Sequence, residues 1–371
     1  MPYLKPKGNP NSKVWVVVEK PFPQDVEKGF VWSGGYGYVF EKMLANVGIN
    51  DYHVIARAPD TDDKYAMAIV ENELNHYQPP IIIAVENAGK HFCDQLVKSE
   101  FSSRNTKEDE SEISKYCGSL LRSPLLTYPH WIIPTFSPDT VVKDWKIRDI
   151  VTSLDLGKAA SELEYYATHS NTLQPYLDRT LRYEIKDFGE LLGYLDRFEH
   201  RNLLSNDIET VYPKTNKNRP SAYEWHPGIH VSCSFADSPT FGVAFELFRE
   251  DAAETRILWR KIQSVFDKVP QLGQNFFQFD APRWEMLGFR IDRTKIVDTM
   301  IRQHILWPEL PKDLAFMTRQ YTREPYYKDE SHGWNFKNMA KLRRYNCLDT
   351  TVTFEVYLGQ EKDFNERPHL R

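Results

Sequence analysis

The sequence predicts an α/β protein of two units, and two patterns along the chain support this. In the first part, short apolar runs alternate with helical patterns, which is typical of a mostly parallel sheet covered by helices. In the second part, three strand-like runs follow one another directly, which is typical of antiparallel pairing. A chain of 371 residues is also long for a single core.

The first part contains four strand candidates separated by helical patterns. The strands are predicted at VWVVVEKP, DYHVIARAP, PPIIIAVENAG and HWIIPTFSP, and GYVFEKMLANVGI is predicted as an amphipathic helix. We assign residues 1–161 to this N-terminal α/β domain. Residues 162–187 lose the strand pattern and are predicted to be a linker.

Residues 188–371 form the second predicted domain. NLLSNDIETV is a strand, and the two runs around ADSPT predict a hairpin. A helix over about 254–268 follows, PQLGQNFF returns as a strand, and everything afterwards is predicted helical. This β-β-β-α-β succession predicts a mixed sheet of the ribonuclease H type.

Composition indicates a folded, soluble protein. Hydrophobic residues make up 41% of the chain, and the net charge is -5, which excludes nonspecific coating of nucleic acid through a basic surface. The four cysteines lie too far apart in the sequence for a zinc site, an iron-sulfur cluster or a disulfide framework. Since there is also no apolar leader or membrane-spanning run, we expect a cytoplasmic protein without membrane contact.

Carboxylates occur at three places in the second part. Asp207 and Glu209 would share one face of a strand, where they repel unless a cation lies between them. Asp280 follows the last predicted strand, and Tyr345 and Asp349 are one helical turn apart. Each has a structural alternative: Asp280 could cap the following helix, Asp349 could be solvated and Tyr345 could belong to the core.

The motifs DIET, NFFQFD and YNCLDT, with IVDTM between the last two, resemble those of DnaQ-like 3'-to-5' exonucleases. The resemblance covers about residues 190 to 365 and is to the DEDDy subtype, as in proofreading domains of DNA polymerases. It implies hydrolysis of a phosphodiester by two divalent ions, Mg²⁺ or Mn²⁺, held by carboxylates.

The same resemblance implies a role for each motif residue. Asp207, Glu209 and Asp349 would hold the first ion. Asp207 would bridge to a second ion, which Asp280 would support through water. Tyr345 would hydrogen-bond the attacking water. The residues expected to contact the substrate are Ile208, Thr210, Asn275, Phe276 and Phe279.

In the first part, VVVEKPFPQDVEKGFVWSGGYGYVFEKML has the layout of a strand, a Pro-containing loop, a Gly-rich turn and a helix, and PPIIIAVENAG and IIPTFSPDTVVKDWKIRDIVTSLDLGKA follow it. Over about residues 12 to 160, this layout resembles the uracil-DNA glycosylase superfamily. Where that family has a catalytic His in its late motif, this chain reads Thr135-Phe136-Ser137-Pro138, with Ser137 as the counterpart. A hydroxyl cannot stabilise a departing uracil anion as a His does. Glu19 could orient a water, but the Asn that reads uracil has no counterpart, and the cysteines for an iron-sulfur cluster are absent. We therefore expect an inactive domain that handles or docks DNA.

The combined prediction is a metal-dependent 3'-to-5' exodeoxyribonuclease with a proofreading or replication role. The two domains together resemble the front half of phage-type DNA polymerases, so the chain is expected to be a polymerase-associated subunit or a fragment, in the host cytoplasm if phage-encoded. Its expected partners are DNA with a single-stranded or frayed 3' end and a DNA polymerase subunit. Two alternatives stay open: a noncatalytic DNA-binding or polymerase-docking module, and an active uracil-DNA glycosylase with an accessory nuclease.

Overall fold

The computed structural model describes residues 4–18, 21–56, 63–86, 88–89, 113–143, 145–211, 229–328 and 339–370. The chain forms two compact units. The first comprises the chain up to Tyr176 together with Arg323–Tyr326, and the second comprises Leu177–Thr322 and the chain from Tyr327 onward.

The first unit is built on one sheet, whose strands are β1 (Lys7–Gly8), β2 (Val14–Val18), β3 (His53–Ala56), β4 (Ile81–Val85) and β5 (Trp131–Thr135). Its helices are α1 (Pro23–Lys28), α2 (Gly35–Asn46), α3 (Asp63–Tyr77), α4 (Ile113–Tyr116), α5 (Pro138–Lys143) and α6 (Trp145–Thr168). The strand order is β1-β3-β2-β4-β5, and every pair is parallel except β1 with β3. Strands β2, β4 and β5 are buried throughout, as their apolar runs predict.

The second unit is built on a mixed sheet, whose strands are β6 (Thr180–Arg182), β7 (Leu204–Val211), β8 (Ile229–Ser238), β9 (Phe241–Phe245), β10 (Gln271–Gly273) and β11 (Ile296–Asp298). Its helices are α7 (Phe188–Phe198), α8 (Ala252–Lys268), α9 (Asp280–Met286), α10 (Thr299–Leu306), α11 (Leu314–Tyr321) and α12 (Met339–Glu366), with single 3-10 turns at Arg293–Lys295 and Pro368–Leu370. The strand order is β11-β10-β7-β8-β9-β6. Strands β7, β8 and β9 are antiparallel in succession, whereas β10 and β11 run parallel to β7. The predicted α/β class with a ribonuclease H-like sheet is confirmed.

The two faces of the second sheet carry different layers. On one face, apolar side chains of α7, α8 and α9, including Trp284, form a core with Ile208 and Phe235 of the sheet. On the other face, α12 packs on β7, β8 and β9. Gly242 in β9 permits this approach, because a Cβ at that position would lie 2.8 Å from Thr351 Cγ2 in α12. Helix α12 therefore lies close to the strand that carries the predicted carboxylates.

Two predictions about secondary structure need correction. The region after β10 is not wholly helical, because Ile296–Asp298 pairs in parallel with β10. This strand has only three residues, too few to show a periodic pattern. The segment 162–187 is also not a plain linker, since α6 continues to Thr168 and Thr180–Arg182 joins the edge of the second sheet beside β9.

Candidate metal centre

Strand β7 presents the first two carboxylates. Asp207 and Glu209 lie opposite Ser234 and Ser232 of β8, and the register shifts directly after Glu209. Because alternate residues of a strand face opposite sides, both carboxylates point to the α12 side while Ile208 enters the apolar core. Strand β7 is flanked by β8 and β10, so its backbone is held from both sides.

Helix α12 supplies the third carboxylate. Tyr345 and Asp349 are both buried, one turn apart. One oxygen from each of Asp207, Glu209 and Asp349 can be chosen so that the three atoms lie within 4.8 Å of one another. Oxygen ligands at about 2.0–2.6 Å from a hard divalent cation would be separated by such distances, so the three carboxylates fit one ion.

Asp280 completes the set from a different element. It is the first residue of α9 and is 1% exposed. Its Oδ1 accepts a hydrogen bond of 3.1 Å from the main-chain amide of Ile208, between the two carboxylates of β7. The alternative that Asp280 caps its own helix is wrong, because Phe279 occupies the N-cap position and no side chain caps that end.

Burial and mutual repulsion make Asp207, Glu209 and Asp280 hard to ionise without a cation. Burial, reinforced by the Asp349 charge, raises the pKa of Asp207 to about 7, although Lys328 and Asn346 counteract part of the shift. Burial and the Asp207 charge also raise the pKa values of Glu209 and Asp280 well above their usual range. A divalent cation would relieve both effects.

One carboxylate oxygen of the cluster receives no hydrogen bond from the described residues. Asp349 Oδ1 is buried and has no hydrogen-bond partner among the described residues, whereas Oδ2 accepts from Lys328 at 2.6 Å. A buried carboxylate oxygen without a donor is costly, and a metal ligand bond would satisfy it. The residues present therefore fit the divalent ions that the sequence predicts.

Tyr345 is linked to the same lysine. Burial, with the neighbouring Asp349 charge, raises the pKa of the Tyr345 phenol, so the hydroxyl stays protonated near neutral pH. Lys328 donates to the phenol oxygen at 2.9 Å as well as to Asp349. Sequence reasoning missed Lys328, because it lies outside every motif and meets the cluster only through tertiary folding.

Asn346 is a second residue that sequence reasoning missed. Its Nδ2 donates to Asp207 Oδ2 at 2.5 Å, and its Oδ1 accepts from Ser232. A signal for it was present in YNCLDT: Asn346 lies three residues before Asp349 and therefore shares its helix face.

Three of the predicted substrate-contacting residues, Asn275, Phe276 and Phe279, lie between β10 and α9, whereas Ile208 and Thr210 lie on β7. Asn275 has a positive φ of 58°, and Asp298 accepts hydrogen bonds from the main-chain amides of Asn275 and Phe277 at 3.0 and 3.2 Å. Asp298 also caps α10 by accepting a hydrogen bond from Met300 N, so its role is structural.

The side chains of this set differ in accessibility. Ile208 and Phe276 are at most 1% exposed and belong to the core, so only their main chains could meet a substrate. Phe279 and Thr210 are half-buried. The Arg283 guanidinium lies 3.4 Å from the centre of the Phe279 ring, a stacking that fixes the ring beside Asp280.

In the first unit, the residues singled out by sequence have local partners. Ser137 follows β5 and donates to Asp139, and Thr140 in turn donates to Glu86 at the end of β4. Ser137 is therefore engaged by side chains of its own unit. Glu19 lies outside the described residues, and the resemblance of this unit to glycosylases stays a prediction.

The chain is similar to known proteins in structure but not in sequence. No family model and no curated protein matches it. The catalytic core of RRP6 from Trypanosoma brucei is similar in structure with a TM-score of 0.40 and 15% identity, covering 54% of this chain and 51% of that one. The Nibbler EXO domain of Aedes aegypti has a TM-score of 0.38 and 14% identity, covering 53% of this chain and 94% of that one.

Escherichia coli RNase D, an exoribonuclease involved in structured RNA processing, has a TM-score of 0.36 and 12% identity, covering 52% of this chain and 50% of its own. The chain thus spans about half the length of the RRP6 core and of RNase D. Separately, no helix in the described ranges is long and apolar enough to cross a membrane.

Proposed function

We propose that the second unit is a metal-dependent 3'-to-5' exonuclease that removes nucleotides from the 3' end of DNA. The observation that carries the proposal is the convergence of Asp207, Glu209 and Asp349 within 4.8 Å. Asp280 and Tyr345 border this cluster in the order that the motifs predict. The proposed context is proofreading beside a DNA polymerase.

In the reaction, a water oxygen attacks the last phosphorus, the bond from phosphorus to the 3' oxygen breaks, and a proton passes to the leaving oxygen. Divalent ions bound at the cluster would supply an acidified water and stabilisation of the leaving oxyanion. Asp207, Glu209 and Asp349 would hold them as direct ligands, and Asp280 would support them through water.

Tyr345 would orient the attacking water and would not deprotonate it. Its phenol has a raised pKa, so phenolate is scarce at neutral pH. The Lys328 ammonium fixes the phenol oxygen and Asp349 relative to each other. Lys328 is thus proposed as a positioning residue of the centre.

Four carboxylates need not mean catalysis, and a noncatalytic DNA-binding or polymerase-docking module is the main alternative. The first unit is proposed to handle or dock DNA without base excision. Uracil-containing DNA that acquires abasic sites with an Asp207→Ala, Asp349→Ala double variant would instead assign glycosylase activity to the first unit.

The test is digestion of 5'-labelled single-stranded DNA, a frayed duplex and RNA of the same sequence, with Mg²⁺ or Mn²⁺. The parent is compared with Asp207→Ala and Asp349→Ala, and with Asp292→Ala as a control on an exposed turn outside the cluster. A ladder that shortens from the 3' end and is lost only in the first two variants supports the proposal. Shortening of RNA alone would reject the DNA assignment, and no shortening of any substrate would favour the docking module.

A further inference from the structure

Asn346 joins three elements of the second unit inside the protein. It is fully buried in α12. Its side-chain Nδ2 donates to Asp207 Oδ2 on β7 at 2.5 Å, and its Oδ1 accepts from Ser232 Oγ on β8 at 2.9 Å. Its main-chain oxygen accepts from Ser234 Oγ, also on β8, at 2.8 Å.

Chemistry sets the direction of the side-chain bonds. When Asp207 is ionised, as a metal ligand must be, its carboxylate only accepts hydrogen bonds, so the amide nitrogen of Asn346 faces Asp207. The amide oxygen is then turned toward Ser232 and must receive the proton of that hydroxyl. The chain of bonds from Ser232 through Asn346 to Asp207 therefore has one orientation.

A neutral donor suits Asp207 better than a cation would. Lys328 brings a positive charge to Asp349, which lowers the total negative charge of the cluster. Asn346 restrains one oxygen of Asp207 without cancelling the charge that would attract an ion. Asp207 is one of the proposed direct ligands, so the orientation of its carboxylate matters for ion binding.

We infer that Asn346 is a positioning residue that orients the Asp207 carboxylate and thereby sets the affinity of the centre for divalent ions, with Ser232 fixing the orientation of the amide. This inference rests on the proposed function, since it presumes that the carboxylates bind ions. Groups that orient metal ligands typically change metal affinity by about 10–100-fold when removed.

The serines offer a matched pair of variants. Ser232 and Ser234 are two residues apart on β8, both are fully buried, and both donate to Asn346. Only Ser232 bonds to the side-chain amide, whereas Ser234 bonds to the main chain of the helix. Ser232→Ala should disturb the orientation of the Asn346 amide. Ser234→Ala should remove a comparable hydrogen bond but leave the amide orientation unchanged.

The experiment measures the dissociation constant of Mn²⁺ by isothermal titration calorimetry on the full chain without nucleic acid, so the readout does not depend on cleavage. Asn346→Ala should weaken Mn²⁺ binding by about 10–100-fold, and Ser232→Ala by about tenfold, the lower end of that range. Ser234→Ala should change the Mn²⁺ dissociation constant by less than about twofold. Urea midpoints in EDTA should fall similarly for both serine variants.

The outcomes separate this inference from the proposed function. Equal loss of affinity in both serine variants, or unchanged affinity in Ser232→Ala, would overturn the inference and leave Asn346 a purely structural residue. If Asn346→Ala does not fold, the comparison of the two serine variants decides alone. A parent protein that binds no Mn²⁺ would overturn the proposed function and the inference together, whereas tight parent binding with unaffected variants overturns only the inference.

Discussion

Replacing Lys328 by Met should destabilise the ion-free second unit strongly. Lys328 Nζ lies 2.6 Å from Asp349 Oδ2 and 2.9 Å from the Tyr345 oxygen. At 2.6 Å and an effective dielectric constant of about 20, the gross attraction between the Lys328 ammonium and the Asp349 carboxylate is ~6 kcal/mol. Desolvation of the ammonium offsets part of it, and removing one partner of a buried pair costs about 3–5 kcal/mol.

Partial solvent access places the expected cost at the lower end of that range. The two side chains are 21% and 9% exposed, so we expect the free energy of unfolding to fall by ~3 kcal/mol. With a urea dependence of about 1–3 kcal/mol per molar, the urea midpoint should drop by roughly 1–3 M. Saturating Mn²⁺ should recover part of the loss, since it supplies the missing positive charge.

Hydrogen-exchange mass spectrometry of α12 peptides in urea, at pH 8 with EDTA, reports on the second unit alone. Lys295→Met is the matched control, because Lys295 pairs with Asp292 at 3.3 Å and both side chains are more than 40% exposed. Lys295→Met should lower the free energy of unfolding by less than about 1 kcal/mol. Equal midpoints for Lys328→Met and the parent would refute the reasoning that Lys328 balances the carboxylates.

Two further predictions concern the scaffold. Burial alone would raise the pKa of Glu199, but hydrogen bonds from two lysines and a serine outweigh it and lower the pKa to about 2. Glu199→Gln should therefore destabilise the protein at pH 7. The difference in the free energy of unfolding between this variant and the parent should shrink as the pH falls from about 4 to 2. Gly273→Ala should lower stability by about 1–3 kcal/mol, because its Cβ would lie 2.4 Å from Phe276 Cδ2, and Mn²⁺ binding should weaken as the loop to Asp280 shifts. Gly193→Ala, in a helix with nothing within 4 Å of the new Cβ, should instead stabilise slightly, and thermal unfolding of both variants checks the contrast.

Local patterns in the sequence were sufficient for much of the fold. The alternation in β7 to β9 and the hairpin signal depend on neighbouring residues, so they could be read directly. Strand β11 could not, because it forms only by pairing with β10. The sequence also left Asp280 open between helix cap and ligand, and only packing shows that it accepts from Ile208 N.

The partners of the carboxylates were beyond the reach of motif reading for a similar reason. Lys328 lies 17 residues before Tyr345 in the chain, and their hydrogen bond is a tertiary contact that no local pattern indicates. Asn346 was within a recognised motif, yet its contact with Asp207 spans 139 residues of sequence. Long-range contacts of this kind are determined by the packing of α12 on the sheet.

The way the carboxylates are held argues for an ion-binding role over a docking role. Asp207 is held by a neutral amide, Asp280 by a main-chain amide and Asp349 by one ammonium group. A noncatalytic module would gain stability if such buried charges were replaced by well-packed apolar side chains. Asp349 Oδ1 still lacks a donor among the described residues, which costs about 1–3 kcal/mol. A cation ligated by these oxygens would offset that cost, and docking to another protein would not.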